Sequence, residues 1–116
     1  MTYGTVIGVK ERCEINMDDT SYDQTINRAL AYADGVIDTM FTAVGKTVPT
    51  AVPQIIKDAA CDLAAYYMLR IKEPEKAQMF YEHGIALINQ YIDAQYRKGT
   101  VIRGTTGQVY SESNTP

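Results

Sequence analysis

The stretch that decides the fold is Ile55–Arg70, IIKDAACDLAAYYMLR, in which apolar side chains cover more than one face of a helix. Pro53 stands at its entry and Pro74 just past its exit. Proline suits the first turn of a helix, where its missing N–H is not needed, and it holds the residue before it away from helical geometry. The spacing predicts a helix over residues 53–72, with Ile56, Ala59, Ala60, Leu63, Tyr67 and Ile71 facing the core. Ala64, Ala65, Tyr66, Met68 and Leu69 fall outside that stripe. Surplus apolar surface on a small chain goes to a partner, so these five residues are the expected oligomer interface.

The segments on either side are plainly amphipathic. Upstream, Ile26, Ala29, Leu30, Ala33, Ile37, Met40, Phe41 and Val44 recur at three- and four-residue steps, predicting a helix over 22–44. Asp19, Thr20 or Ser21 is expected to cap its start, and Gly45 to end it in a left-handed conformation. Gly35, inside this helix, reads as a close-packing point, since an interior glycine costs about 1 kcal/mol relative to alanine. Downstream, Ala77, Phe80, Tyr81, Gly84, Leu87, Ile88, Tyr91 and Ile92 mark a helix from Pro74 to Gly99. A short helix over 6–13, capped by Thr5, precedes them all. The fold class is therefore all-α: a small bundle of one short and three longer helices over residues 1–99. Residues 100–116, rich in Thr, Ser and Gly, read either as a marginal hairpin about Gly104–Gly107 or as an extended, flexible tail that orders on a partner; the apolar content is Val101, Ile102, Val109 and Tyr110.

Composition narrows the function. A chain of 116 residues makes one domain, and its 46% hydrophobic content is ordinary for a globular protein. The net charge is −3 and the 11 basic residues are scattered, which argues against a phosphate-binding face. No segment approaches the ~20 apolar residues of a membrane span, and the start lacks a signal-peptide pattern. Two cysteines, Cys13 and Cys61, read as reduced thiols rather than a bridge.

Catalytic and metal readings fare poorly. Asp34/Asp38 and Asp58/Asp62 are four apart on helices, but His83, the only histidine, has no carboxylate three positions before it. Each pair reads instead as an acidic patch turned to solvent or a partner. Asp34-Gly35-Val36-Ile37-Asp38 faintly echoes a calcium loop, yet the ligand positions around it fall on Leu30, Tyr32 and Phe41. There is no G-x-S-x-G and no phosphate-binding loop. His83 is expected on a helix rim. The reading is a non-enzyme with no catalytic residue, metal or cofactor. Nine tyrosines and no tryptophan suit either a helix interface or a core.

The order of the pieces resembles a known family. V-K-E-R-C-E-I (Val9–Ile15) is followed by Asp18, Asp19 and Asp23, then I-N-R-A-L-A-Y-A-D-G-V-I-D (Ile26–Asp38). After these comes V-P-x-x-I-K-D-A-A-C-D-L-A-A-Y-Y (Val52–Tyr67). Over residues 5–98 this resembles the small head-tail connector proteins of tailed bacteriophages, also called adaptor or head-completion proteins. The resemblance implies a structural virion protein forming a ring, usually twelve-fold, beneath the portal. Such a ring extends the DNA channel, lets DNA pass without sequence-specific binding, and docks the next neck or tail component. It implies no membrane partner, assembly in the host cytoplasm and residence in the neck of the virion. By analogy, Val101, Ile102, Arg103, Val109 and Tyr110 would be the portal-binding tail. The alternative is a small helical regulator that binds DNA or protein, although Gln54, Ile55, Ile56, Lys57 and Asp58 make a poor recognition-helix start.

Overall fold

A computed structural model describes residues 2–97. The order is α1 (Val6–Cys13), α2 (Asp23–Thr42), α3 (Gln54–Leu69) and α4 (Pro74–Ile92), closed by a wider π-helical turn, Asp93–Arg97. No strand occurs among the described residues. The all-α bundle expected from the periodicity is the observed architecture. The tail residues Val101, Ile102, Arg103, Val109 and Tyr110, and the expected stop at Gly99, lie outside the described residues.

Local chemistry sets the boundaries. Thr5 is extended, and its Oγ1 accepts the Gly8 N–H at 3.0 Å, starting α1 as expected. α1 and α2 then end in the same way. Glu14 (φ 60°) and Gly45 (φ 72°) take the left-handed conformation. The residue after each donates back across the last turn, Ile15 to the Lys10 carbonyl and Lys46 to the Phe41 carbonyl. At the start of α2 none of the three expected side chains caps the helix. Asp19 instead accepts from the Ser21 N–H and hydroxyl, and Tyr22 occupies the cap position. Asp23, in the first turn of α2, lies 3.1 Å from Nζ of Lys10, whose side chain is buried. That ammonium also donates to the Met17 carbonyl, tying the α1–α2 connection down.

α3 is the shared element: it packs on α4 most extensively, then on α2, then on α1, whereas α2 and α4 barely touch. Ile56, Ala59, Ala60 and Leu63 are fully buried, joined by Ile26, Leu30, Ile37 and Phe41 from α2 and Ile88 and Ile92 from α4. Each large aliphatic side chain so buried contributes about 1.5–3 kcal/mol from its removal from water. One expected core residue is misplaced. Ile71 is 81% exposed, because α3 stops at Leu69 and the chain leaves the helix before the Pro74 corner.

Two expectations about packing are overturned. Gly35 is exposed, and a Cβ built on it would meet nothing within 4 Å. The close-packing glycine is Gly84 in α4, where a Cβ would stand 3.1 Å from Leu63 Cγ and 3.2 Å from the Ala59 carbonyl oxygen. The expected interface on α3 is largely spent inside the chain. Ala64 and Ala65 have no exposed surface and Leu69 only 8%. Only Tyr66 and Met68 of that set keep partial exposure. The reason is that α3 is packed on by three helices at once, with α1 so close that a Cβ on Gly8 would come 2.5 Å from Cys61 Sγ.

Candidate assembly surfaces

The acidic pair on α3 is split: Asp58 stays half-buried at the surface, accepting from Gln54 Nε2 at 3.0 Å, while Asp62 is taken inside. Asp62 is 2% exposed and bridges three helices. Its Oδ1 accepts from Arg12 Nε of α1 at 2.7 Å, and its Oδ2 lies 2.5 Å from His83 Nδ1 of α4. Burial alone would lower the Arg12 guanidinium, but the Asp62 carboxylate more than reverses this and raises it. Arg12 also donates to the Gly8 carbonyl, so the carboxylate fixes α1 against α3 while α4 meets it through the histidine. His83 does sit on the rim expected for it, its side chain 63% exposed. A carboxylate–imidazole pair can move protons. Here the carboxylate's other oxygen is already committed to Arg12, which makes the trio a cross-brace.

Asp34 and Asp38 on α2 are engaged by the chain's own N-terminal segment. The Tyr3 N–H donates to Asp34 Oδ1 at 3.1 Å and the Tyr3 hydroxyl to Asp38 Oδ1 at 2.5 Å. Burial, reinforced by the Asp38 hydrogen bond, pushes the Tyr3 phenol up to about 12. Burial also raises the Asp34 carboxyl, against the lowering effect of the Tyr3 N–H. The patch expected to turn to solvent or a partner is thus a latch for Tyr3. Among the described residues no group of three or more His, Cys, Asp or Glu side chains converges as a metal site. Cys61 is buried and Cys13 half-buried, both as free thiols, with burial pushing Cys13 up to about 11.

Four of the tyrosines gather where α2, α3 and α4 meet. Tyr66 and Tyr67 of α3 lie 6.0 and 5.4 Å from Tyr32, and Tyr81 lies 5.0 Å from Tyr66. The Arg70 guanidinium covers Tyr67 at 4.0 Å. All four rings are half-buried, so they are partly core and partly surface. From Tyr32 and Tyr81 a groove of about 700 Å³ runs between α2 and α4, lined by Ala31, Gly35, Val36, Thr39, Met40 and Ile85 as well. No charged side chain lines it. It exists because both helices pack on α3 and hardly on each other. Beyond Met40, Tyr96 of the π-helical turn packs edge-on against Phe41 and lies beneath the Lys46 ammonium.

With the helix order and these surfaces defined, comparison with known families becomes specific. The family profile described as Bacteriophage Mu, Gp36 matches residues 5–108. The chain belongs to the bacteriophage Mu Gp36 family. The match takes in all four helices and continues past Arg97 to Gln108, ten residues or so further than the helix-order resemblance reached. Searches of curated proteins and of solved structures returned no match. As a Gp36-family member this is a bacteriophage protein. Among its described residues no helix is long and apolar enough to cross a membrane.

The brace and the latch were the features that sequence reasoning missed. Asp62 offered a signal: a carboxylate between Cys61 and Leu63, in a helix apolar on more than one face, is a candidate for burial, and a buried carboxylate needs a cation. Nothing in the sequence near Tyr3 announces its attachment to α2, because that contact spans more than thirty residues.

Proposed function

We propose that this Gp36-family protein is a head–tail connector, or adaptor, subunit of a phage virion. Copies form a ring beneath the portal, twelve-fold in the usual arrangement of such proteins. The ring extends the DNA channel without reading sequence and docks the next neck or tail component. The role is structural, with no cofactor and no catalytic step. The observation that carries this reading is the family match over residues 5–108, joined to a helix order that resembles that of connector proteins.

The surfaces support a subunit built for assembly. The core closes within the chain, yet an uncharged groove and exposed Ile7, Ile71 and Met79 remain outside it. A closed ring needs two different contact faces on each subunit. Tyr66 and Met68 keep a place in one of them; Ala64 and Ala65 do not, because no part of either reaches the surface. Within this proposal Val101, Ile102, Arg103, Val109 and Tyr110 form the segment that engages the portal.

Quantitative peptide mass spectrometry of purified virus particles, referenced to the major capsid protein, tests the reading. On the order of a dozen copies per particle is the expected result for a closed neck ring. Absence from intact, tailed particles overturns it.

A further inference from the structure

Gly35 lies in the middle of a twenty-residue helix, and nothing in the chain touches the space its missing Cβ leaves. An interior glycine costs about 1 kcal/mol relative to alanine, so intrachain packing gives no return for it. What the glycine does is open the floor of the α2–α4 groove, where Ala31, Thr39 and Met40 on one side face Tyr81 and Ile85 on the other. An apolar, uncharged groove of this kind suits an extended segment with few charges.

We infer that in the free subunit the groove holds residues 100–110 of the same chain. Three observations select this occupant. First, the described chain ends at the C-terminal end of α2, where the groove also ends: Tyr96 packs on Phe41, next in sequence to the groove residue Met40. Second, the reach is sufficient. Ala31 to Met40 spans roughly 13 Å of helix. The four or five residues from Arg97 to Val101 and Ile102 cover up to about 15 Å, and the seven steps from Ile102 to Val109 up to about 23 Å. Third, TVIRGTTGQVY carries one charge, Arg103, between two apolar pairs, Val101–Ile102 and Val109–Tyr110. Tethering makes the contact intramolecular, so it forms at any protein concentration. The inference goes beyond the connector reading and stands without it. If both hold, the portal must displace the segment from the groove before binding it.

The test uses the full chain with methyl-13C methionine. The Met40 methyl lies in the groove, while Met17 and Met79 are exposed elsewhere and serve as internal controls. Substituting Ile102→Ser together with Tyr110→Ser is expected to move the Met40 resonance and leave those of Met17 and Met79 in place. In a Gly35→Gln background, where a side chain enters the groove, the same double substitution is expected to leave Met40 unmoved. A Met40 resonance indifferent to the tail substitutions overturns the inference. So does a Met40 shift that appears only as protein concentration rises, which assigns the groove to a second copy.

Discussion

Two helical glycines separate the tight seam of this molecule from its open one. Gly84 brings α4 against α3, with Leu63, the Ala59 carbonyl and Asp62 all within about 3.2 Å of where its Cβ would be. Gly35 sits at a comparable place in α2 and faces empty space. Both interrupt a run of good helix formers, and both carry the same local cost. The difference is that α3 lies opposite one and nothing described lies opposite the other. A seam closed within the chain belongs to folding; one left open is available for binding.

The largest expected effect lies in the closed seam. Asp62→Ala should destabilise the subunit by about 3 kcal/mol, since it leaves the half-buried Arg12 cation without its carboxylate and opens the brace between three helices, and this is measured by urea unfolding. A loss under half that size would mean the cross-brace is solvated and the seam is held by apolar packing alone. Gly84→Ala comes next, with a loss of about 1–3 kcal/mol as overpacking outweighs the gain in helix propensity. Gly35→Ala should do the reverse and stabilise the subunit by up to about 1 kcal/mol. Equal effects from the two glycine substitutions would erase the distinction between the seams.

The smallest effect sharpens the account of α2's other face. Tyr3 is held protonated by burial and Asp38, with its folded value near 12 against an ordinary 10. A raised value contributes stability that is whole below pH 10 and is lost as pH rises through about 12. Tyr3→Phe should therefore flatten the alkaline limb of stability between those values while changing little at pH 7, as followed by circular dichroism. An unaltered alkaline limb would show that the latch on α2 is open in solution.

How far the sequence could be read follows from the range of each interaction. Thr5, Gly45 and Pro74 act within a turn of themselves, so the first cap, the end of α2 and the start of α4 were all legible. The periodic stripe of α2 was legible as well, because burial there follows helix geometry: Ile26, Leu30, Ile37 and Phe41 are all inside. The surplus face of α3 was misassigned because α1, α2 and α4 all pack on that one helix. Pattern alone cannot tell a neighbour in the same chain from one in another. Tyr22 in place of Asp19, Thr20 or Ser21 at the start of α2 fails for a related reason, since the Asp19 carboxylate found a closer donor in Ser21.

The sequence by itself determined that this chain is an all-α bundle with α3 at its centre, because helical periodicity, caps and prolines act locally. The family match then made it a phage protein. Only the tertiary structure decided which apolar and charged groups meet. Asp62 was sealed between Arg12 and His83, Ala64 and Ala65 were enclosed, and Gly35 was left facing a groove. Those outcomes depend on how helices far apart in sequence lean on α3, and no local pattern encodes that.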